Sequence, residues 1–214
     1  MSALKIEKGR ESAVAKRKKI MNMDFEKRIL GAGVIDVDAP MEDFDKKELK
    51  TRAAYFLLNG VPEFSVNATG GGRYKLLAAE KDYYAARATG VTEFSVRVYS
   101  FNEKNAEVFS CLERLKTEKL GTMEEAYLMQ RLVKDYGFTQ DDVAALIGKS
   151  RPAVANTLRL LTLAPEVVGL VESGQLSAGH ARTLVKVPKE QQLTPVLQTL
   201  LFPAAERSPC RFQL

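Results

Sequence analysis

The sequence predicts an α+β half followed by an all-helical half, and two observations support this division. Over residues 24–110, strand-like alternation and helical periodicity are interleaved, which is typical of an α+β domain. Strand patterns stop after Asn102, and residues 111–188 are predicted to form short helices separated by glycine and proline. Residues 1–23 form a polar, basic arm, and residues 189–214 show no periodicity and receive no predicted fold.

The first half is predicted to contain helices at residues 45–58 and 80–89, and strands at 64–66, 74–77 and 94–99. Within the first helix, the apolar residues close to one face are Leu49, Ala53, Phe56 and Leu57. The stretch Thr69-Gly70-Gly71-Gly72 between two strands predicts a hairpin turn. A phosphate cradle is the alternative, but the stretch lacks the Lys-Ser/Thr of a P-loop.

The second half is predicted to contain helices at residues 105–117, 123–136, 139–147, 151–161, 165–173 and 177–185. The pair at 139–147 and 151–161 has the local signals of a helix-turn-helix. Thr139 and Asp142 have capping-box spacing, and Gly148 suits a tight turn with positive φ. Ser150 is placed to cap the next helix, and Pro152 falls in its first turn. The expected inner-face residues are Val143, Leu146, Ile147, Val154, Leu158 and Leu161.

The expected outer face of this pair carries cationic, amide and hydroxyl side chains, and no acidic residue lies between Val143 and Ala164. Its members are Lys149, Ser150, Arg151, Asn156, Thr157 and Arg159. Arginine pairs with guanine and asparagine with adenine through two hydrogen bonds, and hydroxyls bind phosphates. The pattern therefore predicts a helix that enters the DNA major groove, with an ordinary helical hairpin bearing a solvated basic face as the alternative.

The composition agrees with a globular protein that has a polyanionic partner. Apolar residues make up 45% and charged residues 28% of the 214 residues, and the net charge is +5. No apolar run approaches the ~20 residues that span a bilayer, and the N-terminus lacks the apolar core of a secretory signal. Cys111 and Cys210 are isolated, so we expect reduced thiols in a cytoplasmic protein. The run Lys16-Arg17-Lys18-Lys19 is either a solvated tail or a phosphate-contacting arm.

Residues 123–184 closely resemble the central DNA-binding domain of ParB/RepB-type partition proteins, with a KorB-like helix-turn-helix. The motifs that carry the resemblance are TQ-x-x-VA, GKSR-x-AVAN-x-LRLL and LS-x-GHAR-x-L. The resemblance implies a palindromic centromere-like DNA site, a ParA-type ATPase as partner, a homodimer, and a cytoplasmic location at the nucleoid or a plasmid. By position, it also implies a phosphate contact for Gln140 and a second DNA-facing helix start formed by Ser177, Gly179, His180 and Arg182. Without the resemblance, His180 is an ordinary surface or packing residue.

The first half resembles the N-terminal domain of the same family, which has a ParB/sulfiredoxin-like fold and binds CTP with Mg²⁺. The resemblance implies that Glu80, Lys81, Glu113 and Arg114 are nucleotide-binding residues. The phosphate motif departs from the family pattern, because Ala79 replaces a glycine and Asp82 replaces an arginine. The third motif, residues 113–117, lacks the family's asparagine and arginine, and Val61-Pro62 replaces a Gln-Pro pair. We therefore expect no ordinary CTP hydrolysis, with retained binding of CTP and Mg²⁺ as the alternative.

Three functions follow from these observations. The leading one is a sequence-specific DNA-binding protein that acts in plasmid or chromosome partition. The alternatives are a helix-turn-helix transcriptional repressor without nucleotide gating, and a CTP-dependent DNA clamp with CTPase activity. Nothing after Pro188 resembles the family's dimerisation domain, so we expect a truncated or a short divergent member, with dimerisation through the first half as an option.

Overall fold

The computed structural model describes residues 24–194, which divide into one unit that ends at Glu118 and a second that begins at Lys119. The basic arm with Lys16–Lys19, the last twenty residues of the tail and Cys210 lie outside the described residues. Within the described part, no helix has the length and apolarity needed to cross a membrane.

A five-stranded mixed sheet forms the centre of the first unit. Its strands are β1 (Glu26–Gly31), β2 (Ile35–Asp36), β3 (Phe64–Gly70), β4 (Arg73–Leu76) and β5 (Glu93–Tyr99), in the order β1-β5-β3-β4-β2. Strand β5 pairs antiparallel with β1 and parallel with β3, while β4 pairs antiparallel with β3 and parallel with β2. The helices of this unit are α1 (Lys46–Asn59), α2 (Glu80–Ala88) and α3 (Glu103–Thr117). The predicted α+β class is confirmed.

Aromatic residues fill the core between the sheet and helix α2. The Phe64 ring on β3 meets the rings of Tyr83 on α2 and Phe94 on β5 edge-on, at centroid distances of 5.7 and 5.6 Å. Leu49 and Phe56 of α1 join this core, as predicted. Leu57, which we expected there, is instead 71% exposed. One residue along a helix turns the side chain by about 100°, so Leu57 points away from the core that Phe56 enters.

The hairpin predicted around Gly70-Gly71-Gly72 is confirmed, because β3 and β4 pair across a turn in which these glycines have positive φ. Positive φ costs glycine little, which explains why the turn needs this residue type. Strands β1 and β2 were not predicted. β1 is an edge strand with Ile29 72% exposed, so its sequence has no inward-outward alternation, and β2 has only two residues.

Helix α3 spans the boundary between halves that we expected at residue 110. Ala106 and Phe109 of α3 pack against Tyr99, the last residue of β5, and against Phe101. Asn67 of β3 fixes the approach to this helix, because its amide accepts from the backbone N–H of Phe101 at 2.7 Å and donates to the Phe101 carbonyl at 3.2 Å. The helix therefore belongs to the first unit.

The second unit is all-helical, as predicted. It contains α4 (Thr122–Lys134), α5 (Gln140–Ile147), α6 (Arg151–Arg159), α7 (Pro165–Glu172) and α8 (Ala178–Leu184). The buried core that joins α4, α7 and α8 includes Met123, Val167, Ala181 and Leu184.

Residues 189–194 were assigned to a tail without a fold, but they pack on the helical unit. Gln192 is 2% exposed, and its amide oxygen accepts from the Ala164 backbone N–H at 2.8 Å. Its amide nitrogen donates to the carbonyls of Leu184 and Val187 at 3.1 and 2.9 Å. A single polar side chain thus connects the segment after α8 to the start of α7.

Candidate nucleic-acid interface

Helices α5 and α6 form the helix-turn-helix with the local geometry that the sequence predicts. The Thr139 hydroxyl accepts from the Asp142 backbone N–H at 3.1 Å, and the Asp142 carboxylate accepts from the Thr139 N–H at 3.0 Å. Gly148 ends α5 in the left-handed conformation at φ +72°. Ser150 caps α6 by accepting from the Ala153 N–H at 3.3 Å. The capping box, the glycine turn and the second cap are all confirmed.

The inner stripe of α6 differs from the predicted one. Val154, Thr157 and Leu160 are buried, whereas Leu158 and Leu161 are only half-buried. The expected outward position of Thr157 is therefore wrong, since its side chain belongs to the packed face. The buried residues are spaced three positions apart, whereas the predicted step from Val154 to Leu158 is four. Both spacings place residues on one face of a helix. The packing of α6 against α4 and α5 decides between them.

Most of the predicted DNA-binding residues of the helix-turn-helix are accessible. Lys149, Ser150, Arg151 and Arg159 are exposed, while Gln140 and Asn156 are half-buried. Within this group of six polar residues, Arg159 Nη1 lies 3.5 Å from the Asn156 amide oxygen. We call this group the α6 surface.

Two carboxylates from neighbouring helices lie beside the cations of the α6 surface, and the sequence did not predict either contact. Glu125 of α4 forms an ion pair with Lys149. The Oδ1 atom of Asp141 in α5 lies 3.5 Å from Nε of Arg151. The residues between Val143 and Ala164 include no acid, but carboxylates of the two preceding helices lie next to their cations.

The second predicted contact region lies at the start of α8. Ser177, Gly179, His180 and Arg182 are exposed, while Ala181 and Leu184 on the other face are buried. The Ser177 hydroxyl accepts from the His180 backbone N–H at 3.3 Å and lies 2.9 Å from His180 Nδ1. The cap thus fixes the imidazole ring at the surface.

Of the residues that the resemblance assigns to nucleotide binding, Glu80 and Lys81 lie in the first turn of α2, and Arg114 is close enough to Glu80 to affect its pKa. Lys81 forms an ion pair with Glu48 of α1 at 3.2 Å. Asp82 pairs with Arg52, which also contacts Glu48 at 3.3 Å. These contacts join α1 to α2 and engage Lys81 and Asp82 of the altered phosphate motif.

The other residues assigned to nucleotide binding are also engaged within the chain. Arg114 Nε donates to the Glu118 carboxylate at 3.1 Å, whereas Glu113 lies 3.5 Å from Arg97 of β5 and is not brought to the start of α2 by any contact that the structure shows. Burial raises the pKa of Glu80, Arg114 partly offsets this, and the negative charge of Glu118 raises the pKa further.

A nucleoside triphosphate needs cations and free backbone N–H groups to balance its charge. Here Lys81 and Arg114 are paired with Glu48 and Glu118, and the backbone N–H of Ala79 donates to the Glu118 carboxylate at 2.8 Å. These residues do not fit CTP with Mg²⁺, and we derive no reaction step through it.

Comparison with known proteins agrees with the helix-turn-helix assignment. Residues 118–202 match the ParB HTH domain. The chromosome-partitioning protein ParB of Myxococcus xanthus is 36% identical over 172 residues, which cover 80% of this chain and 57% of that protein. The chromosome-partitioning protein Spo0J of Thermus thermophilus is 36% identical over 154 residues, which cover 72% of this chain and 57% of that protein. The chain thus spans slightly more than half the length of these relatives.

A solved structure extends the similarity to both units. The C-terminally truncated chromosome-partitioning protein ParB from Caulobacter crescentus, complexed to the centromeric parS site, matches with a TM-score of 0.67 and 27% identity. The match covers 81% of this chain and 91% of that chain.

Proposed function

Because this chain belongs to the ParB family of partition proteins, we propose that it binds a palindromic, centromere-like DNA site in chromosome or plasmid partition. The observation that carries the proposal is the α6 surface, in which Lys149, Ser150 and Arg151 stand exposed at the start of a helix whose opposite stripe is buried. A helix N-terminus carries a partial positive charge, so the position favours DNA phosphates as well as base edges.

In this proposal α6 is the recognition helix and lies in the major groove. Arg151 pairs with a guanine and Asn156 with an adenine, because their side chains have the matching donor and acceptor pairs. Lys149, Ser150, Arg159 and Gln140 contact phosphates and fix the position of the helix. The start of α8 supplies a second set of contacts through Ser177, Gly179, His180 and Arg182.

Partition also requires partners, which we propose because the resemblance to ParB/RepB-type partition proteins implies them. A palindromic site favours a two-fold homodimer, with one copy on each half-site. A ParA-type ATPase is the proposed protein partner, and the proposed location is the cytoplasm, at the nucleoid or on a plasmid. No membrane contact is part of the proposal.

A transcriptional repressor without nucleotide gating is the second candidate. The observation that favours it is the poor fit of the α2 start to CTP, since Lys81 and Arg114 are paired with carboxylates of the same chain. The third function named above, a CTP-dependent DNA clamp with CTPase activity, loses support for the same reason.

Selection of bound fragments from random DNA by the full chain tests the DNA-binding proposal. We expect one enriched palindrome, and a library without enrichment would refute sequence-specific binding. The recovered site then separates the two candidates. Placed on an unstable plasmid in cells that supply the chain and its ParA-type ATPase, it should increase plasmid retention. A site that represses an adjacent reporter without affecting retention would favour the repressor.

A further inference from the structure

The backbone at the start of α2 has an unusual conformation. Ala79, the residue before the helix, has φ +64° and ψ +40°, and it is the one non-glycine residue with positive φ in the part of the chain that the structure describes. Left-handed backbone crowds the Cβ atom of an L residue, so a neighbouring contact must hold it in place.

That contact is the carboxylate of Glu118. Its Oε1 accepts from the Ala79 backbone N–H at 2.8 Å, and its Oε2 accepts from Arg114 Nε at 3.1 Å. The Glu118 side chain is only 23% exposed, so the carboxylate is bound on both oxygens and largely withdrawn from water. A backbone N–H at a helix start and an arginine are also the groups that bind free anions.

We propose that Glu118 is a built-in anion that closes the start of α2 to phosphate groups and leaves the first unit independent of nucleotide. A free anion that entered would have to displace a carboxylate held by the same chain. It would also approach Glu80. Burial raises the pKa of Glu80, which shows that negative charge is already disfavoured at this place, and a bound anion would add more of it.

The Glu118 hydrogen bonds also have a structural role, apart from keeping free anions out. Glu118 is the last residue of the first unit and follows directly on α3, whose first turn is capped by Asn102. Its two hydrogen bonds therefore attach the end of α3 to the start of α2. The proposal concerns the first unit alone, so it stands or falls independently of DNA binding.

Amide NMR of the full chain, with Glu118→Ala as the variant, tests the proposal. In wild type, we expect millimolar Mg²⁺–CTP and millimolar inorganic phosphate to leave the Ala79 amide resonance unchanged. In Glu118→Ala, we expect about tenfold or greater loss of Ala79 hydrogen-exchange protection, because a charge-assisted hydrogen bond is lost. We also expect inorganic phosphate to shift this resonance saturably in the variant. Glu103→Gln is the control, because it removes an exposed carboxylate from the first turn of α3, the helix that Glu118 follows.

Three results would overturn the proposal: a saturable shift of wild-type Ala79 by CTP or phosphate, full protection of Ala79 in Glu118→Ala, or no response of the variant to phosphate. If Glu118→Ala does not fold by circular dichroism, Glu118→Gln replaces it. The glutamine carbonyl still accepts the Ala79 N–H but carries no charge. For that variant we expect a phosphate response at Ala79, and an absent response contradicts the built-in anion.

Discussion

Arg151 and Asp141 are in contact across the helix-turn-helix, with Nε of the arginine 3.5 Å from Oδ1 of the aspartate. The contact that the structure shows is made by Nε, and it does not involve the two terminal nitrogens of the guanidinium. These two nitrogens are one of the donor pairs that match O6 and N7 of guanine. Both side chains stay largely exposed, so the contact itself adds little stability. We propose that its role is to position Arg151 for a base contact.

The substitution Asp141→Asn tests whether Asp141 positions Arg151 or only repels DNA through its negative charge. We expect the ratio of specific to random DNA affinity to fall by up to about tenfold, since a well-formed bidentate pair provides about 1–3 kcal/mol of discrimination. Affinity for random DNA should stay equal or rise, because a negative charge is removed. Fluorescence anisotropy with the selected palindrome and a scrambled duplex measures both. Glu166→Gln at the exposed start of α7 is the charge-matched control. Equal gains for both duplexes would show that Asp141 only repels DNA.

Arg151→Ala should reduce affinity for the selected site by about 10- to 100-fold, which corresponds to loss of one bidentate base contact. Weak, salt-sensitive binding to random DNA should remain, because phosphate contacts persist. Arg151→Lys keeps the charge and tests whether the forked geometry matters. If affinity for the site and for random DNA fell by the same factor, Arg151 would contact phosphate rather than a base.

Lys149→Ala should weaken binding to all sequences by a similar factor. The slope of log affinity against log salt should become shallower by about 0.9, the value for one phosphate contact on duplex DNA. The control is Lys134→Ala, which removes an exposed cation from the end of α4. An unchanged salt slope in Lys149→Ala would mean that Lys149 stays paired with Glu125 in the complex.

Ala79→Gly should stabilise the first unit, because glycine adopts the left-handed conformation without a Cβ clash. We expect the free energy of unfolding to rise by about 1 kcal/mol in urea denaturation. The matched control is Ala88→Gly in the last turn of α2, which should lower it by about 0.5–1 kcal/mol. Destabilisation by both substitutions would indicate that Ala79 is not strained.

Gln192→Ala should destabilise the helical unit by about 1–3 kcal/mol, because it leaves the buried Ala164 N–H without its acceptor. Gln191→Ala, one residue earlier and exposed, is the control and should change the free energy of unfolding little. Thermal and urea unfolding of both variants measure the difference. Equal stability of the two variants would contradict the role assigned to Gln192.

The features that could be predicted from the sequence are those that depend on residues close to each other along the chain. The capping box of Thr139 and Asp142, the turn at Gly148 and the cap at Ser150 involve residues a few positions apart, so their spacing was sufficient. Thr157 was misplaced because a helix stripe with steps of three or four residues looks equally amphipathic, and only packing decides between them.

Contacts between distant residues could not be predicted in the same way. Lys149 is 24 positions from Glu125, and Ala79 is 39 positions from Glu118. Neither spacing corresponds to a helical or strand period, so only the folded chain shows these pairs. Edge strand β1 escaped prediction for another reason, because exposure of Ile29 removes the alternation that marks a half-buried strand.

The hydrogen bonds of Gln192 also determine how this helical unit should be excised or fused to another protein. A fragment cut at Pro188, where helical periodicity ends in the sequence, would lose the side chain that covers the start of α7. Its last helix would then end without the amide that binds the Leu184 carbonyl. A fragment that retains Gln192 keeps these hydrogen bonds, so a tag or reporter should be placed after this residue.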